Sequence, residues 1–247
     1  MHRSVRYRCG DGPFRIGFFA DSLTSGLPGS SYVAMLRERF PEDTLLNFGK
    51  PNDTIISLCR RLSAMQLDGP LDLAFLWIGV NDVPQTDGRL YRAFHTLPRQ
   101  RRARDMDEFR SCYRATLELL CNRAGRVVVA PPALKGEDLG RHANRRLVDL
   151  AGLIKEVTMD RDTAEFLDLR AVFVRELAAR ATTDPVSKDP FRVLLDALTL
   201  RTDGQNDAKA TERGLHLTLD GIHLNSAGAK LVAEEFAAAI HNHRQGR

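Results

Sequence analysis

Short apolar runs alternate along the chain with segments in which apolar residues recur at helical spacing. The runs lie at 16–19, 44–48, 71–78, 127–130 and 165–169, and each predicts a buried β-strand. Helical spacing predicts helices over 31–40, 55–65, 106–123, 143–159 and 226–241. Strands that alternate with helices indicate an α/β fold with a parallel sheet and helices on both faces. Such sheets bind ligands at the carboxyl ends of their strands.

Polar residues and glycines mark where the predicted helices begin and end. Each of three helices has two candidate N-caps, and these pairs are Ser30 or Ser31, Asp53 or Thr54, and Asn225 or Ser226. Gly125 is expected to close the helix that starts at 106. Pro41 is expected to end the first long helix, because proline cannot continue one.

Two polar segments interrupt the alternation, at about 83–105 and 181–215. The second contains a helix-like stretch over 191–200 followed by a polar stretch over 201–214. A chain of 247 residues is long enough for one α/β domain with a sizeable core. We therefore expect a single domain over 1–247, with insertions at these two places.

The composition is that of an ordinary globular protein, with 43% hydrophobic and 28% charged residues and a net charge of +4. No apolar run is long enough to cross a bilayer, and the polar start of the chain has no signal-peptide core, so we expect a cytoplasmic protein. The cysteines, at positions 9, 59, 112 and 121, have no zinc-site spacing. Reduced thiols are expected, with no metal and no cofactor.

Arginines crowd the segment 99–104, within the first insertion. They could bind a nucleic acid or a phosphorylated substrate. However, no aromatic residues are interleaved with them, and Asp105, Asp107 and Glu108 follow directly. We favour a solvated, charge-balanced loop and expect no nucleic-acid partner.

Residues that could take part in catalysis follow three of the predicted strands and precede the last helix. Ser22 follows the first strand, Gly49 the second and Asn81 the third, while Asp220 and His223 precede the last helix. A serine that attacks a carbonyl needs a base, a group that orients the base, and donors for the oxyanion. Each residue also has a plain structural alternative: Ser22 as a turn former, Asp220 in a turn with Gly221, and His223 at the surface.

Four short blocks in order resemble the SGNH hydrolases, of which the GDSL motif is the signature. They are Ala20-Asp21-Ser22-Leu23-Thr24, Asn47-x-Gly49, Gly79-x-Asn81-Asp82 and Asp220-x-x-His223. The resemblance implies a flavodoxin-like three-layer α/β/α sandwich with about five parallel strands.

The resemblance also implies a role for each site residue. Ser22 would be the nucleophile, His223 the general base and acid, and Asp220 the carboxylate that orients His223. The oxyanion would be held by the backbone N–H groups of Ser22 and Gly49 and by the side-chain amide of Asn81.

Two residues depart from the family pattern. Ala20 and Asn52 stand where glycines are usual, and both are tolerable because alanine adds one methyl and asparagine accepts a positive φ. We expect Asp21 and Asp82 to hydrogen-bond the strand-end loops, with a ligand contact left open. For His216 we favour a surface position over one in the site.

The sequence thus predicts a serine hydrolase that cleaves carboxylic esters through an acyl-enzyme. A thioesterase, a lysophospholipase, a carbohydrate O-deacetylase with the same residues, and a non-catalytic binding protein of the same fold are the alternatives. The expected partner is a small-molecule, lipid or sugar ester, and the oligomeric state is open.

Overall fold

The computed structural model describes residues 12–84, 101–178, 180, 195, 196, 198–200 and 202–246. Its strands form one sheet in the order β2-β1-β3-β4-β5, and every neighbouring pair is parallel. The strands are β1 (Arg15–Ala20), β2 (Thr44–Asn47), β3 (Leu71–Trp77), β4 (Ala124–Ala130) and β5 (Ala164–Phe166). The predicted five-stranded parallel sheet is confirmed.

Helices connect the strands and cover both faces of the sheet. They are α1 (Ser22–Ser25), α2 (Tyr32–Arg39), α3 (Ile55–Ala64), α4 (Met106–Cys121), α5 (His142–Met159), α6 (Leu169–Leu177), α7 (Asp203–Glu212) and α8 (Ser226–Gln245). Alternating strand residues therefore face two separate cores, as expected for a sheet buried on both sides.

One core lies between the sheet and helices α2, α6 and α8. At its centre Phe236 of α8 stacks on Phe75 of β3 with ring centroids 4.3 Å apart, and Phe18 of β1 stacks on Phe75 at 5.1 Å. The other core lies between the sheet and α3, α4 and α5, and contains Phe19, Tyr113 and Ile154. The three-layer α/β/α sandwich follows from these two cores.

The sheet order brings the functional strand ends together. β1 lies between β2 and β3, and Ala20 at the end of β1 pairs with Trp77 at the end of β3. Because the chain crosses from β2 over β1 to β3, a crevice opens at the carboxyl ends of these strands. The residues that follow β1, β2 and β3 border that crevice.

The structure selects one N-cap from each predicted pair. Ser31, Thr54 and Asn225 each accept a hydrogen bond from a backbone N–H in the first turn of the helix that follows. The first of the long helices ends at Arg39, just before Pro41, as predicted.

Three expectations about the elements are wrong in detail. Gly125 does not close a helix: α4 ends at Cys121 and Gly125 lies inside β4, which begins three residues before the predicted strand. β5 is shorter than predicted, because the chain turns into α6 at Leu169. The polar stretch over 201–214 contains helix α7, which Thr202 and Gln205 cap reciprocally.

The predicted insertions lie partly outside the described residues. Of the segment 83–105, residues 85–100 are outside, and of 181–215, residues 181–194, 197 and 201 are outside. Residues 195, 196, 198 and 199 are helical, in agreement with part of the helix predicted over 191–200.

Within the described part of the chain, no helix has the length and apolar character to cross a membrane. Cys59, Cys112 and Cys121 are free thiols, and Cys9 lies outside the described residues.

Candidate active site

The turn after β1 presents Ser22 at the start of the short helix α1. Asp21 caps this turn: its Oδ1 accepts from the N–H of Leu23 at 3.0 Å, and its carbonyl accepts from the N–H groups of Thr24 and Ser25. Asp21 therefore hydrogen-bonds the strand-end loop, as predicted. Burial raises the pKa of Asp21 to about 7, because the carboxylate is removed from water.

Ser22, His223 and Asp220 form a continuous chain of hydrogen bonds. The Ser22 Oγ lies 3.0 Å from His223 Nε2, and His223 Nδ1 lies 2.8 Å from Asp220 Oδ2. With Nδ1–H donating to the carboxylate, Nε2 carries the lone pair that accepts from the serine hydroxyl. The structure thus brings together three residues that span 201 positions in the sequence.

A tight turn before α8 presents Asp220 and His223. An antiparallel bridge between Thr218 and Leu224 closes the turn, and the N–H of Leu219 donates to the carbonyl of His223 at 2.7 Å. Within the turn, Asp220 Oδ1 accepts from the N–H groups of Ile222 and His223. The residues between Asp220 and His223 therefore serve to fold the carboxylate back onto the imidazole.

Burial and charge act in opposite directions on this pair. Burial alone would lower the pKa of His223, but the charge of Asp220 and its hydrogen bond outweigh burial and raise that pKa above 6.5. Burial would raise the pKa of Asp220, but the imidazolium and the backbone donors of His223 and Ile222 hold that pKa below its usual range. Asp220 is thus ionised at neutral pH.

The loop after β3 carries Asn81. The side-chain amide of Asn81 donates to the carbonyl of Asp53 at 3.0 Å, and its own carbonyl accepts from Arg102 Nε at 2.6 Å. An amide NH₂ has two hydrogens, so one can still face the crevice. Asp82 Oδ2 accepts from the N–H of Ile55 at the start of α3, which matches the predicted structural role.

Gly49 does not fit the predicted oxyanion role. Its N–H donates to Asn47 Oδ1 at 2.9 Å, so that donor is already engaged. A Cβ at Gly49 would lie 2.3 Å from the backbone nitrogen of Ser25 and 2.9 Å from the carbonyl oxygen of Asp21. The glycine is needed because the two loops touch each other there, whereas the sequence suggested a close approach to a ligand.

The two departures from the family pattern are accommodated. Asn52 has φ of 61°, the left-handed region in which asparagine replaces glycine at small cost. Ala20 is a buried residue of β1, and its carbonyl accepts from the N–H of Lys50. Because Ala20 is in extended strand conformation, its position does not require a glycine.

The arginine segment divides between the surface and the site. Arg101 and Arg104 both bind Glu108 at the start of α4, which agrees with the charge-balanced loop. Arg102 instead binds the carbonyl of Asn81.

His216 is half-buried: its N–H donates to Glu137 Oε2 and its carbonyl accepts from Asn225, so its main chain supports the turn before α8.

Two charged residues beside the site, Lys135 and Glu137, were not predicted from the sequence, and Arg102 was expected in a solvated loop. Lys135 and Glu137 lie in the segment after β4, and each is 1% exposed. In the sequence, Lys-Gly-Glu after two prolines is typical of a surface loop, and no periodicity indicates burial. Only their contacts in the fold identify them.

Comparisons with known proteins identify a family. The family model described as GDSL-like Lipase/Acylhydrolase matches residues 18–231. A search of curated proteins finds no match to this chain.

Solved structures with the same fold include three esterases or hydrolases. LAE5, an alpha/beta hydrolase enzyme from the metagenome of Lake Arreo, Spain, is 19% identical, with 92% of this chain and 95% of that chain covered and a TM-score of 0.63. The acetyl xylan esterase AlAXEase is 22% identical, with 92% and 99% covered and a TM-score of 0.61. A catalytic mutant of Axe2, an acetylxylan esterase from Geobacillus stearothermophilus, is 16% identical, with 93% and 95% covered and a TM-score of 0.63.

At these identities the solved structures show a shared fold, and the family model supplies the assignment. It covers most of the chain, including the Ser22 turn, the Asn81 loop and the turn with Asp220 and His223. The chain therefore belongs to the GDSL-like Lipase/Acylhydrolase family and is a carboxylic ester hydrolase.

Proposed function

We propose that this ester hydrolase works through an acyl-enzyme on Ser22, with His223 as general base and acid and Asp220 as the residue that orients His223. One observation carries the proposal, namely the hydrogen-bond chain from Ser22 Oγ through His223 to Asp220, with links of 3.0 Å and 2.8 Å. All three residues are buried. Hydrogen bonds of this length are within the reach that proton transfer requires.

The reaction has two halves. His223 Nε2 takes the proton of the Ser22 hydroxyl as Oγ attacks the ester carbonyl, and then gives it to the departing alcohol oxygen as the ester C–O bond breaks. In the second half His223 removes a proton from water as the water oxygen attacks the acyl carbonyl, and then gives that proton to Ser22 Oγ as the bond between Oγ and the acyl carbon breaks and the acid leaves. Asp220 stabilises the imidazolium that forms in each half.

Donors at the carboxyl ends of the strands would hold the oxyanion. We assign the backbone N–H of Ser22 and the second amide hydrogen of Asn81. For the third donor we replace Gly49 by Asn52, whose N–H has no recorded hydrogen bond within the described part of the chain. Asn52 precedes Asp53, the residue whose carbonyl binds Asn81, so its N–H belongs to the same wall of the crevice.

Replacing the nucleophile tests the function directly. With a short-chain chromogenic ester, Ser22→Ala is expected to lower kcat about 10⁴-fold or more with the fold retained. Ser63→Ala is the matched control, because Ser63 lies exposed on α3 and its Oγ donates to a helix carbonyl. A fluorophosphonate should label the wild type and Ser63→Ala but not Ser22→Ala. Undiminished turnover by Ser22→Ala would refute the proposal.

A second candidate substrate is the O-acetyl group of a sugar. Two of the solved structures with this fold are acetyl xylan esterases, which supports including an acetylated xylo-oligosaccharide in a substrate panel. A lysophospholipid and an acyl-CoA thioester complete the panel. Comparison of kcat/KM across it, with Ser22→Ala as blank for each compound, distinguishes deacetylation of sugars from the other reactions.

A further inference from the structure

Two buried ionisable side chains lie two residues apart on the segment between β4 and α5, and burial lowers the pKa of Lys135 to about 7. Lys135 and Glu137 are each 1% exposed, and every hydrogen bond recorded for their charged groups within the described residues goes to one of two loops of the site. Burying a charge costs free energy unless hydrogen bonds compensate for it. We call residues 135–137 the bridging segment.

Lys135 holds the loop that carries Asn81. Its Nζ donates to the carbonyl of Val80 at 2.8 Å and to the carbonyl of Val83 at 2.5 Å. These carbonyls lie on either side of Asn81 in the chain, so one ammonium group closes the turn around it. The main chain on both sides of Asn81 is therefore bound to the amino group of Lys135.

Glu137 holds the base of the turn that carries Asp220 and His223. Its Oε2 accepts from the N–H of His216 at 2.8 Å, while Oε1 accepts from the N–H of Leu217 and of Thr218 at 2.8 Å and from the Thr218 hydroxyl at 2.7 Å. Thr218 pairs with Leu224 to close the turn. The Glu137 carboxylate thus accepts from three consecutive N–H groups in the segment that leads into the turn with Asp220 and His223.

The bridging segment is itself firmly attached. The N–H of Gly136 donates to the carbonyl of Gly221, between Asp220 and His223, at 2.6 Å. Asn144 of α5 accepts from the N–H of Lys135 and donates to the carbonyls of Gly136 and Asp138. The backbone of the bridging segment and the ends of both side chains are hydrogen-bonded. Neither Lys135 nor Glu137 can therefore shift without moving the loop that it binds.

We propose that Lys135 and Glu137 are positioning residues: Lys135 sets the direction of the Asn81 amide, and Glu137 sets the His223–Asp220 pair against Ser22. This assignment rests on the function proposed above. Neither residue touches the Ser22 hydroxyl, so each acts through the loop it holds. Within the described residues, the hydrogen bonds of the Lys135 side chain go only to the loop with Asn81, and those of the Glu137 side chain go only to the base of the turn with Asp220 and His223. Substitutions of the two residues are therefore expected to change different properties of the enzyme.

Lys135→Met tests the Asn81 loop. The methionine side chain has nearly the same length but lacks the amino group. We expect kcat for the chromogenic ester to fall about 10-fold to 100-fold, because a small displacement of a catalytic group lowers the rate strongly. KM should change little. Lys135→Gln, which keeps a shorter donor, should recover part of kcat and also provides a test if the methionine variant does not fold.

Arg123→Met is the matched control for Lys135→Met. Arg123 also donates to two backbone carbonyls, those of Leu62 and Met65, but it lies at the amino end of β4, away from the strand ends that carry the site. Its loss should cost stability and leave kcat within about twofold, since loosening a loop far from the reacting atoms does not move them. Arg123→Met shows what the loss of a side chain that binds two carbonyls does by itself. Any further loss of kcat in Lys135→Met is then due to its position beside Asn81.

Glu137→Gln tests the other loop, and one of its two readouts needs no substrate. An amide nitrogen would face the N–H of His216 or of Leu217, so the turn must move. The low-field proton resonance of the His223 Nδ1–H, observed by NMR, is expected to shift or vanish, and the pH midpoint of kcat/KM is expected to fall. Thr218→Val removes the hydroxyl that donates to Glu137 and accepts from the N–H of Gly221, and should give the same changes to a smaller extent. Lys135→Met should leave the resonance in place.

The results separate failure of this proposal from failure of the proposed function. If the wild type shows no ester turnover that depends on Ser22, the proposed function fails, while the Nδ1–H resonance still reports whether Glu137 positions His223. If turnover depends on Ser22 but Lys135→Met and Glu137→Gln only lower Tm, with kcat, pH midpoint and resonance as in the wild type, the positioning roles are overturned.

Discussion

Asp220 binds His223 with both of its carboxylate oxygens. Oδ2 accepts from the ring Nδ1 and Oδ1 accepts from the His223 backbone N–H, each at 2.8 Å. The spacing of three residues allows this, because the turn folds the carboxylate back onto the residue that it orients. A single side chain thereby sets both the main chain and the imidazole of His223 relative to Ser22.

Replacing Asp220 by asparagine should trap the imidazole in the wrong tautomer. The Asn oxygen can still accept from the backbone N–H groups, but its NH₂ group faces Nδ1 and favours a hydrogen on Nε2, which then cannot accept the Ser22 proton. We expect kcat to fall about 10⁴-fold. Circular dichroism and Tm check that the fold persists. A loss of less than tenfold would show that Asp220 does not control the tautomer.

The rate should decline in acid with a midpoint above pH 6.5. His223 must be neutral to accept a proton, and Asp220 raises the pKa of His223 above that value, against the effect of burial. Activity therefore rises with pH through the pKa of His223 and levels off above it. The measurement is kcat/KM for an uncharged ester from pH 4 to 9. A midpoint at or below 6.5 would contradict the raised pKa.

Asp21→Asn should move that midpoint downward. The charge of Asp21 contributes to the raised pKa of His223, and asparagine removes the charge while its oxygen can still cap α1 through Leu23. Stability should change as well. Burial raises the pKa of folded Asp21 to about 7, well above about 3.9 in an unfolded chain, so the wild type loses stability as the pH rises between these values.

Two measurements check the Asp21 prediction. Tm of the wild type should fall by more than Tm of Asp21→Asn as the pH is raised from 5 to 8. The pH midpoint of kcat/KM should be lower in the variant. Parallel Tm curves with equal midpoints would show that Asp21 does not titrate in this range.

Asn81→Ala should remove one oxyanion donor. We expect kcat to fall about 10²-fold to 10³-fold with a smaller change in KM, because such a donor acts mainly on the transition state. The contact with the Asp53 carbonyl is lost as well, so Tm should also fall. Asn122→Ala, at the exposed end of α4, is the control and should leave kcat unchanged. Equal kcat for the two variants would exclude Asn81 from the oxyanion site.

Gly49→Ala should disturb the nucleophile turn through contact between backbones. The new methyl would lie 2.3 Å from the Ser25 nitrogen and 2.7 Å from the Thr24 carbonyl carbon, and neither can move without shifting Ser22. Overpacking of this kind costs about 1–3 kcal/mol, and kcat should fall with it. Gly152→Ala is the control, since nothing lies within 4 Å of a Cβ there and α5 should gain stability. Similar Tm values for both variants would contradict the close approach.

The order of the elements and the positions of the candidate site residues at strand ends could be predicted because local sequence signals mark them. Apolar runs marked every strand, and the turn chemistry after β1 and β3 marked Ser22 and Asn81. Helix α7 was missed because its capping pair, Thr202 and Gln205, lies in a polar stretch without apolar periodicity. Gly49 was misjudged because a glycine required by contact with a ligand and one required by contact with another loop have the same appearance in a sequence.

Local patterns were enough to predict the α/β class, the strand ends at which polar residues lie, and Ser22, Asp220 and His223 as candidate site residues. The hydrogen bond of the Gly49 N–H and the burial of Lys135 and Glu137 beside the two loops of the site follow from the three-dimensional fold. Local sequence encodes turns and periodicity, whereas the partner of a backbone N–H or a buried charge is set by which distant loops the sheet order brings together.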